Sequence, residues 1–207
     1  MDVVLRTPRL ALRRFTQADA GVLAALYKDP RVMRFITDAL PSAEQVESEL
    51  LPAILRDYAE PGRLGRLAAI DTATGQFAGQ FSLRPANSPG LTEGDGLELG
   101  YRLAPAFWGR GLATEGARTM VLAAFTSLRA ERVVATTMAA NVGSWRVLEK
   151  CGLRRIRTFW YDGPDPLPGA ELGEYVYEQA SHDWARTGRA APGDQVPAPA
   201  TRVSGYQ

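Results

Sequence analysis

The chain has 207 residues, 45% of them hydrophobic and 23% charged, with a formal net charge of +1. That length accommodates one ordinary core, and so balanced a charge gives no global field for nucleic acid or for a membrane surface; neither is an expected partner. Cys151 is the only cysteine, which excludes an internal disulfide and any multi-cysteine metal site, so no metal is expected and a buried, inert thiol in a reducing compartment is.

Arg9 to Phe15 alternates apolar and basic residues, as a half-buried first strand does, and Thr16 followed by Asp19 resembles a helix N-cap for Gln17 to Lys28. Asp29-Pro30 interrupts that helix, a short helical turn covers Arg31 to Phe35, and Pro41-Ser42 opens an amphipathic stretch from Ala43 to Tyr58 that Pro52 kinks or breaks. Leu64 to Asp71 and Gln76 to Leu83 are strand-like and joined by Thr72-Ala73-Thr74-Gly75, which predicts an antiparallel hairpin. Arg84 to Gly96 reads as a loop, and Leu97 to Leu103 as a strand that Pro105 ends. Thr114 to Thr126 carries apolar residues at helical spacing, Arg132 to Met138 is β-branched and alternating, and Ser144 to Lys150 is a short helix closed by Gly152. Leu153 to Trp160 and Leu172 to Trp184 read as the last strands, with His182 structural or exposed on the second. From residue 187 the chain is rich in alanine, proline and glycine, so one domain over residues 1–186 and a disordered tail over 187–207 are expected. Met1 to Arg9 lacks the apolar core of a secretory signal, and no run of about 18 apolar residues exists to span a membrane, so the expected location is cytoplasmic.

This order is mixed α/β: an antiparallel hairpin upstream, locally parallel strands around residue 110, and helices on both faces of one sheet. The most informative segment lies between the strand Leu97 to Leu103 and the long helix. In Trp108-Gly109-Arg110-Gly111-Leu112-Ala113-Thr114, a glycine-rich turn runs into a helix start. There, main-chain N–H groups converge on one concavity with the positive end of the helix dipole behind them, an arrangement suited to phosphate. Gly109 and Gly111 let the main chain come close to such a ligand, and small Ala113 lets the helix begin near the strand.

Three segments in this order resemble the GCN5-related N-acetyltransferase (GNAT) superfamily, and within it the RimJ and RimL branch of ribosomal-protein N-terminal acetyltransferases. They are Leu97-Glu98-Leu99-Gly100-Tyr101-Arg102-Leu103, the turn with Glu115-Gly116-Ala117 after it, and Asn141 through Ser144 to Cys151-Gly152-Leu153. The resemblance implies a mostly antiparallel, splayed central sheet, and acetyl-CoA as the acetyl donor. It further implies pantetheine pairing along Tyr101, Arg102 and Leu103, pyrophosphate on Gly109, Arg110, Gly111, Leu112, Ala113 and Thr114, and contacts from Asn141 and Ser144. Two departures stand out. Trp108 holds the place where the superfamily usually has Gln or Arg, and Leu148 holds the place of the tyrosine that protonates the departing thiolate in many members. In the resembled branch Ser144 occupies the position of the alternative donor.

Acyl transfer from a thioester to an amine needs a neutral nucleophile, a polarised carbonyl and a proton for sulfur. Alignment of the two reactants supplies much of the rate, so direct transfer in a ternary complex needs no covalent enzyme intermediate. Glu98, beside the expected thioester, is the candidate base, acting directly or through a water, or else an edge or solvent-facing charge. Ser144 is the candidate acid or else a partner for helix N-terminal donors. Asn141 ends the preceding strand and bonds the pantetheine or the following turn. Arg110 meets a phosphate or is solvated. Tyr101, Trp108, Trp160, Tyr175 and Tyr177 read as core or sheet-face aromatics. An α-amine is on the order of 10% neutral at pH 7 and a lysine below roughly 0.1%, which favours a peptide N-terminus or a low-pKa small amine as acceptor. A dinucleotide-binding unit fails on placement, since Thr114 stands where its third glycine belongs and Glu131 precedes the second strand instead of ending it. An acyl-CoA-binding sensor or scaffold without turnover is the other reading. A monomer or a homodimer is expected.

Overall fold

The strand expected at the start of the fold is its second: β1 (Val3–Arg6) precedes β2 (Leu10–Arg14) and pairs with it antiparallel. The computed structural model describes residues 3–60, 64–91, 94, 96–160 and 166–187; apart from Thr187, the expected tail lies outside the described residues. After β2, the Thr16 N–H donates to the Asp19 carboxylate at 2.7 Å and Arg13 pairs with it at 2.6 Å, so a 3-10 turn over Gln17–Asp19 feeds α1 (Ala20–Lys28). α2 (Pro30–Met33) starts on Asp29, whose carboxylate accepts from the Arg31 N–H, and α3 (Ala43–Gln45) starts on a reciprocal Ser42–Gln45 box. Pro52 does not end the helix. The chain widens into a π-turn over Val46–Leu50, with the Leu51 N–H reaching back to Val46 O, and continues as α4 (Leu51–Asp57). A proline lacks the N–H and crowds the preceding turn, so a wider turn just before it lets the helix go on.

β3 (Gly65–Asp71) and β4 (Phe77–Pro85) form the expected hairpin, its turn held by Asp71: the carboxylate accepts from the Ala73 N–H at 2.9 Å and the carbonyl from the Gly75 N–H at 2.8 Å. β5 (Leu97–Leu103) leads through a 3-10 turn at Pro105–Phe107 into α5 (Leu112–Thr126), followed by β6 (Arg132–Met138), α6 (Val142–Lys150) and β7 (Arg154–Phe159). The last strand is shorter than expected. β8 spans Glu174–Ala180, and Ser181–Thr187 is a helix, α7, so His182 lies on an exposed helical turn. Trp184 supplied the misleading apolar residue: it packs on Phe125 of α5, with ring centroids 5.3 Å apart.

Among the described residues one sheet holds all eight strands, in the order β1-β2-β3-β4-β5-β6-β8-β7, antiparallel throughout except for β5 beside β6. That parallel contact is brief. Leu97 pairs with Val133 and Glu98 with Val134, after which the two strands diverge, and the sheet is splayed at its centre. Each face carries its own apolar cluster. Leu67 and Ala69 of β3 join Ala117, Met120 and Ala124 of α5, while Ala68 between them joins Leu23, Leu26 and Ile54 of the N-terminal helices. Gly116 lets α5 lie close on the sheet, since an added Cβ would stand 2.2 Å from the Phe81 ring, and Ala113 at the helix start is partly buried and packs against the same cluster.

Candidate active site

The register of β4 against β5 sets Gln80 opposite Arg102, Ser82 opposite Gly100 and Arg84 opposite Glu98. Because side chains alternate, these residues share one face of the sheet, and Phe81, Leu83, Leu99, Tyr101 and Leu103 share the other, against α5. Where β5 and β6 part, a cavity of about 540 Å³ opens that is lined from both faces. Gln80, Arg84 and Glu98 enter it from one side, under the segment Phe35 to Asp38 that follows α2; Tyr101 and Ser144 enter it from the other.

Glu98 sits at the vertex of the splay. The Ser88 hydroxyl donates to its Oε1, while its Oε2 is buried and has no hydrogen-bond partner among the described residues. The carboxylate is therefore held on one oxygen and available on the other, as a proton acceptor requires. It is not a solvent-facing charge.

Ser144 lies on the opposite side, in the first turn of α6. Capping of that helix is done by Asn141, whose side-chain oxygen accepts from the Ser144 N–H at 3.2 Å. The Ser144 hydroxyl is thus released from the capping task weighed for it above, and its recorded neighbour is the Tyr101 hydroxyl at 3.2 Å. Tyr101 in turn donates to the Ser144 carbonyl at 2.8 Å, a bond that ties β5 to α6 across the open part of the sheet. Burial raises the Tyr101 phenol above its ordinary value, so it stays protonated and keeps donating.

Glu98, Tyr101, Arg102, Asn141 and Ser144 line this one cavity; Leu103 and the turn from Gly109 to Thr114 do not. They lie at the end of β5 toward which the splay opens. The Trp108 indole N–H donates to Leu103 O at 2.6 Å and so pins the turn to the strand, a role in the structure for the residue that departs from the family pattern. Gly109 and Gly111 adopt φ of 72° and 78°, a region costly to any residue with a Cβ, and nothing lies within 4 Å of a Cβ added at Gly109. The first N–H groups of α5, on Leu112, Ala113 and Thr114, have no acceptor among the described residues. Arg110 is half-exposed and reaches the buried Asp71 carboxylate at 3.3 Å. Glu115 anchors the turn from behind, accepting from the Thr7 hydroxyl, the Arg9 N–H at 2.8 Å and the Arg9 guanidinium at 2.6 Å. Burial alone would raise the Glu115 carboxyl, but these bonds outweigh it and hold it below the ordinary carboxylate range.

Cys151 is buried behind the same turn, its thiol donating to Thr114 O at 3.7 Å and pushed up to about 12 by burial. It is the inert thiol expected from the sequence, since a thiolate is the reactive form. Of the aromatics, Tyr177 is fully buried and Tyr175 partly, whereas Trp160 is 63% exposed and belongs to neither core. Sequence reading missed Gln80, Ser82 and Arg84. The signal was the alternation Gln80-Phe81-Ser82-Leu83-Arg84, whose polar residues are buried enough, Gln80 at 4% exposure, to mark a covered polar face.

The acetyltransferase (GNAT) domain model matches residues 9–154. The chain is 32% identical over 185 residues to the FsC-acetyl coenzyme A-N(2)-transacetylase of Aspergillus fumigatus, covering 88% of this chain and 78% of that one. Among solved structures, an acetyltransferase of the GNAT family from Bacillus anthracis superposes with a TM-score of 0.72 at 21% identity, over 86% of this chain and 98% of the other. Spermidine N-acetyltransferase from Vibrio cholerae, solved with CoA and spermine, superposes with a TM-score of 0.69 at 18% identity, over 86% and 98%. The family match over most of the chain and the 32% identity to the transacetylase identify the protein as a member of the GNAT acetyltransferase family, an acetyl-CoA-dependent N-acetyltransferase, and the superpositions show that it has the fold of these structures.

Proposed function

We propose that the protein moves an acetyl group from acetyl-CoA directly to a primary amine, in a ternary complex held in the splay between β5 and β6. The observation that carries this reading is the placement of Glu98 and Ser144 on opposite sides of one cavity, with the diverging strands between them. Acetyl-CoA supplies the activated acetyl group as a thioester. Beyond Glu98, β5 pairs with β4 on one edge only, so the main-chain groups between Leu99 and Arg102 that point away from β4 are free to pair with an extended amide arm and to polarise a carbonyl. The free N–H groups at the start of α5, beside Gly109 and Gly111, suit a pyrophosphate at the open end.

The amine arrives from the side walled by Phe35 to Asp38. Glu98 takes its proton through Oε2, directly or across one water, and the neutral nitrogen attacks the thioester carbonyl. Ser144 gives its proton to the departing sulfur from the opposite side and regains one, through water, from the proton that the attacking nitrogen sheds as it becomes the amide, while Tyr101 holds Ser144 in place through its carbonyl. Cys151 takes no part. The α-amine of a peptide, or a small-molecule amine of similarly low pKa, suits a carboxylate base better than a lysine does, because far more of it is neutral at pH 7. Thiol release from acetyl-CoA, measured with peptides carrying free or blocked α-amines, tests the preference. Faster release with the free α-amine is expected; equal rates with a blocked, lysine-bearing peptide contradict it.

A further inference from the structure

Four buried side-chain polar atoms lack a hydrogen-bond partner among the described residues, and three of them belong to the acceptor side of this cavity: Gln80 Oε1, Arg84 Nε and Glu98 Oε2. Buried polar groups are nearly always paired, so such a cluster on one wall marks the place where a ligand completes the bonding. The cationic member is the informative one. Arg66, Arg84 and Arg102 all line the cavity, but Arg66 reaches Asp57 at 3.4 Å and Arg102 lies over the Tyr27 ring at 4.7 Å. Arg84 forms no ion pair among the described residues, although Asp38, Glu98 and Glu174 line the same cavity. Burial, and after it the neighbouring Arg66, push its guanidinium below the ordinary value.

A half-buried guanidinium with no carboxylate in ion-pair contact is costly, and a ligand oxygen would supply that contact. Arg84 stands directly opposite Glu98 in the β4–β5 register, and side chains so placed have Cβ atoms about 5 Å apart, so one short ligand fragment meets both. Resting on the reading of Glu98 as the base, we infer that the acceptor is an α-amino-acyl compound. Its amine faces Glu98, and the oxygen on the neighbouring carbon, of a carboxylate or an amide, bonds to Arg84. Gln80 Oε1 accepts a further N–H from the same fragment. Polyamines and lysine side chains carry no such oxygen and would leave Arg84 unpaired beside a second cation.

The test uses the full chain, acetyl-CoA and matched acceptors built on the side chains of glycine, leucine, phenylalanine and lysine: the amino acid, its amide, and the amine lacking the carboxyl carbon. The expected kcat/KM, counted per neutral amine so that basicity differences cancel, is for the best oxygen-bearing acceptor at least tenfold above its matched amine, and in Arg84→Gln that ratio falls to within twofold of one. A preference for carboxylate over amide assigns a small amino acid, and the reverse a peptide N-terminus; both support the inference. Equal turnover of the matched amines, faster turnover of spermine, or an unchanged ratio in a folded Arg84→Gln overturns it. Should Arg84→Gln fail to fold, the wild-type ratio and the charge-retaining Arg84→Lys decide, the latter expected to lower the ratio. Absence of thiol release with every amine contradicts the proposed transfer and not the acceptor class. In that event the thermal shift of the CoA-loaded protein with leucine, leucinamide and isoamylamine decides, equal shifts overturning the inference.

Discussion

The Tyr101 hydroxyl donates to the main-chain carbonyl of Ser144 at 2.8 Å and lies 3.2 Å from the Ser144 hydroxyl, bridging β5 and α6 across the gap where the sheet has no strand pairing. One side chain thereby fixes the position of the other relative to the cavity. Ser144→Ala is expected to lower kcat by about 10²-fold or more, the lower range for a general acid, with little change in the Kd for CoA. Tyr101→Phe is expected to cost about 1 kcal/mol of stability and to lower kcat less than Ser144→Ala. Steady-state kinetics with calorimetric CoA titration checks both, and wild-type turnover in Ser144→Ala removes it from the mechanism.

Glu98 holds one oxygen against Ser88 and leaves the other buried and unpartnered. Glu98→Gln keeps the shape and removes the proton acceptor, so kcat should fall by about 10²- to 10⁴-fold while CoA binding persists. A variant within twofold of wild type would show that the amine loses its proton elsewhere.

The turn after β5 is where the pyrophosphate is proposed to bind, apart from the rest of the donor. Gly109→Ala and Gly111→Ala force a Cβ into left-handed backbone at a cost of about 1–2 kcal/mol and displace the N–H groups beside them. Kinetics with acetyl-CoA and with acetylpantetheine, which lacks the pyrophosphate, distinguishes the two effects. The substitutions should raise KM for acetyl-CoA about tenfold or more, a tenfold change being 1.4 kcal/mol, and leave acetylpantetheine nearly unchanged.

Glu115 gives a pH dependence with a defined sign. Its carboxyl is lowered in the folded chain by Thr7 and Arg9, which outweigh the opposing effect of burial. It therefore contributes stability that is complete above its unfolded value, near 4.3, and disappears as the pH falls through its folded value. Wild-type Tm should drop between about pH 5 and pH 3 more steeply than that of Glu115→Gln, as thermal melts at fixed ionic strength would show. Parallel curves would contradict the role given to the Thr7, Arg9 and Glu115 cluster.

Local signals carried the reading of this fold where chain neighbours determine structure. Glycines at positive φ, the Asn141 cap and the Asp71 turn act within a few residues of themselves, and β5, α5 and α6 fell close to where periodicity and caps put them. β1 was missed because four residues hold too little alternation to stand out from a terminus. α7 was mistaken for strand because Trp184 owes its burial to Phe125, far away in the chain. The acceptor wall was missed for the same reason: Gln80 and Arg84 acquire meaning only when the β4–β5 register sets them beside Arg102 and Glu98. Glu98 and Ser144 stand out individually as candidates in the sequence, but their placement on opposite sides of one cavity depends on where β5 and β6 part.

Thiol release from acetyl-CoA across a panel of primary amines, with the acetylated product identified by mass, tests the central claim most directly. Turnover that depends on the amine and on Glu98, with Cys151→Ala retaining activity within a few-fold, is the predicted result. Binding of CoA without turnover on any amine would contradict it and leave the fold as an acyl-CoA sensor or scaffold.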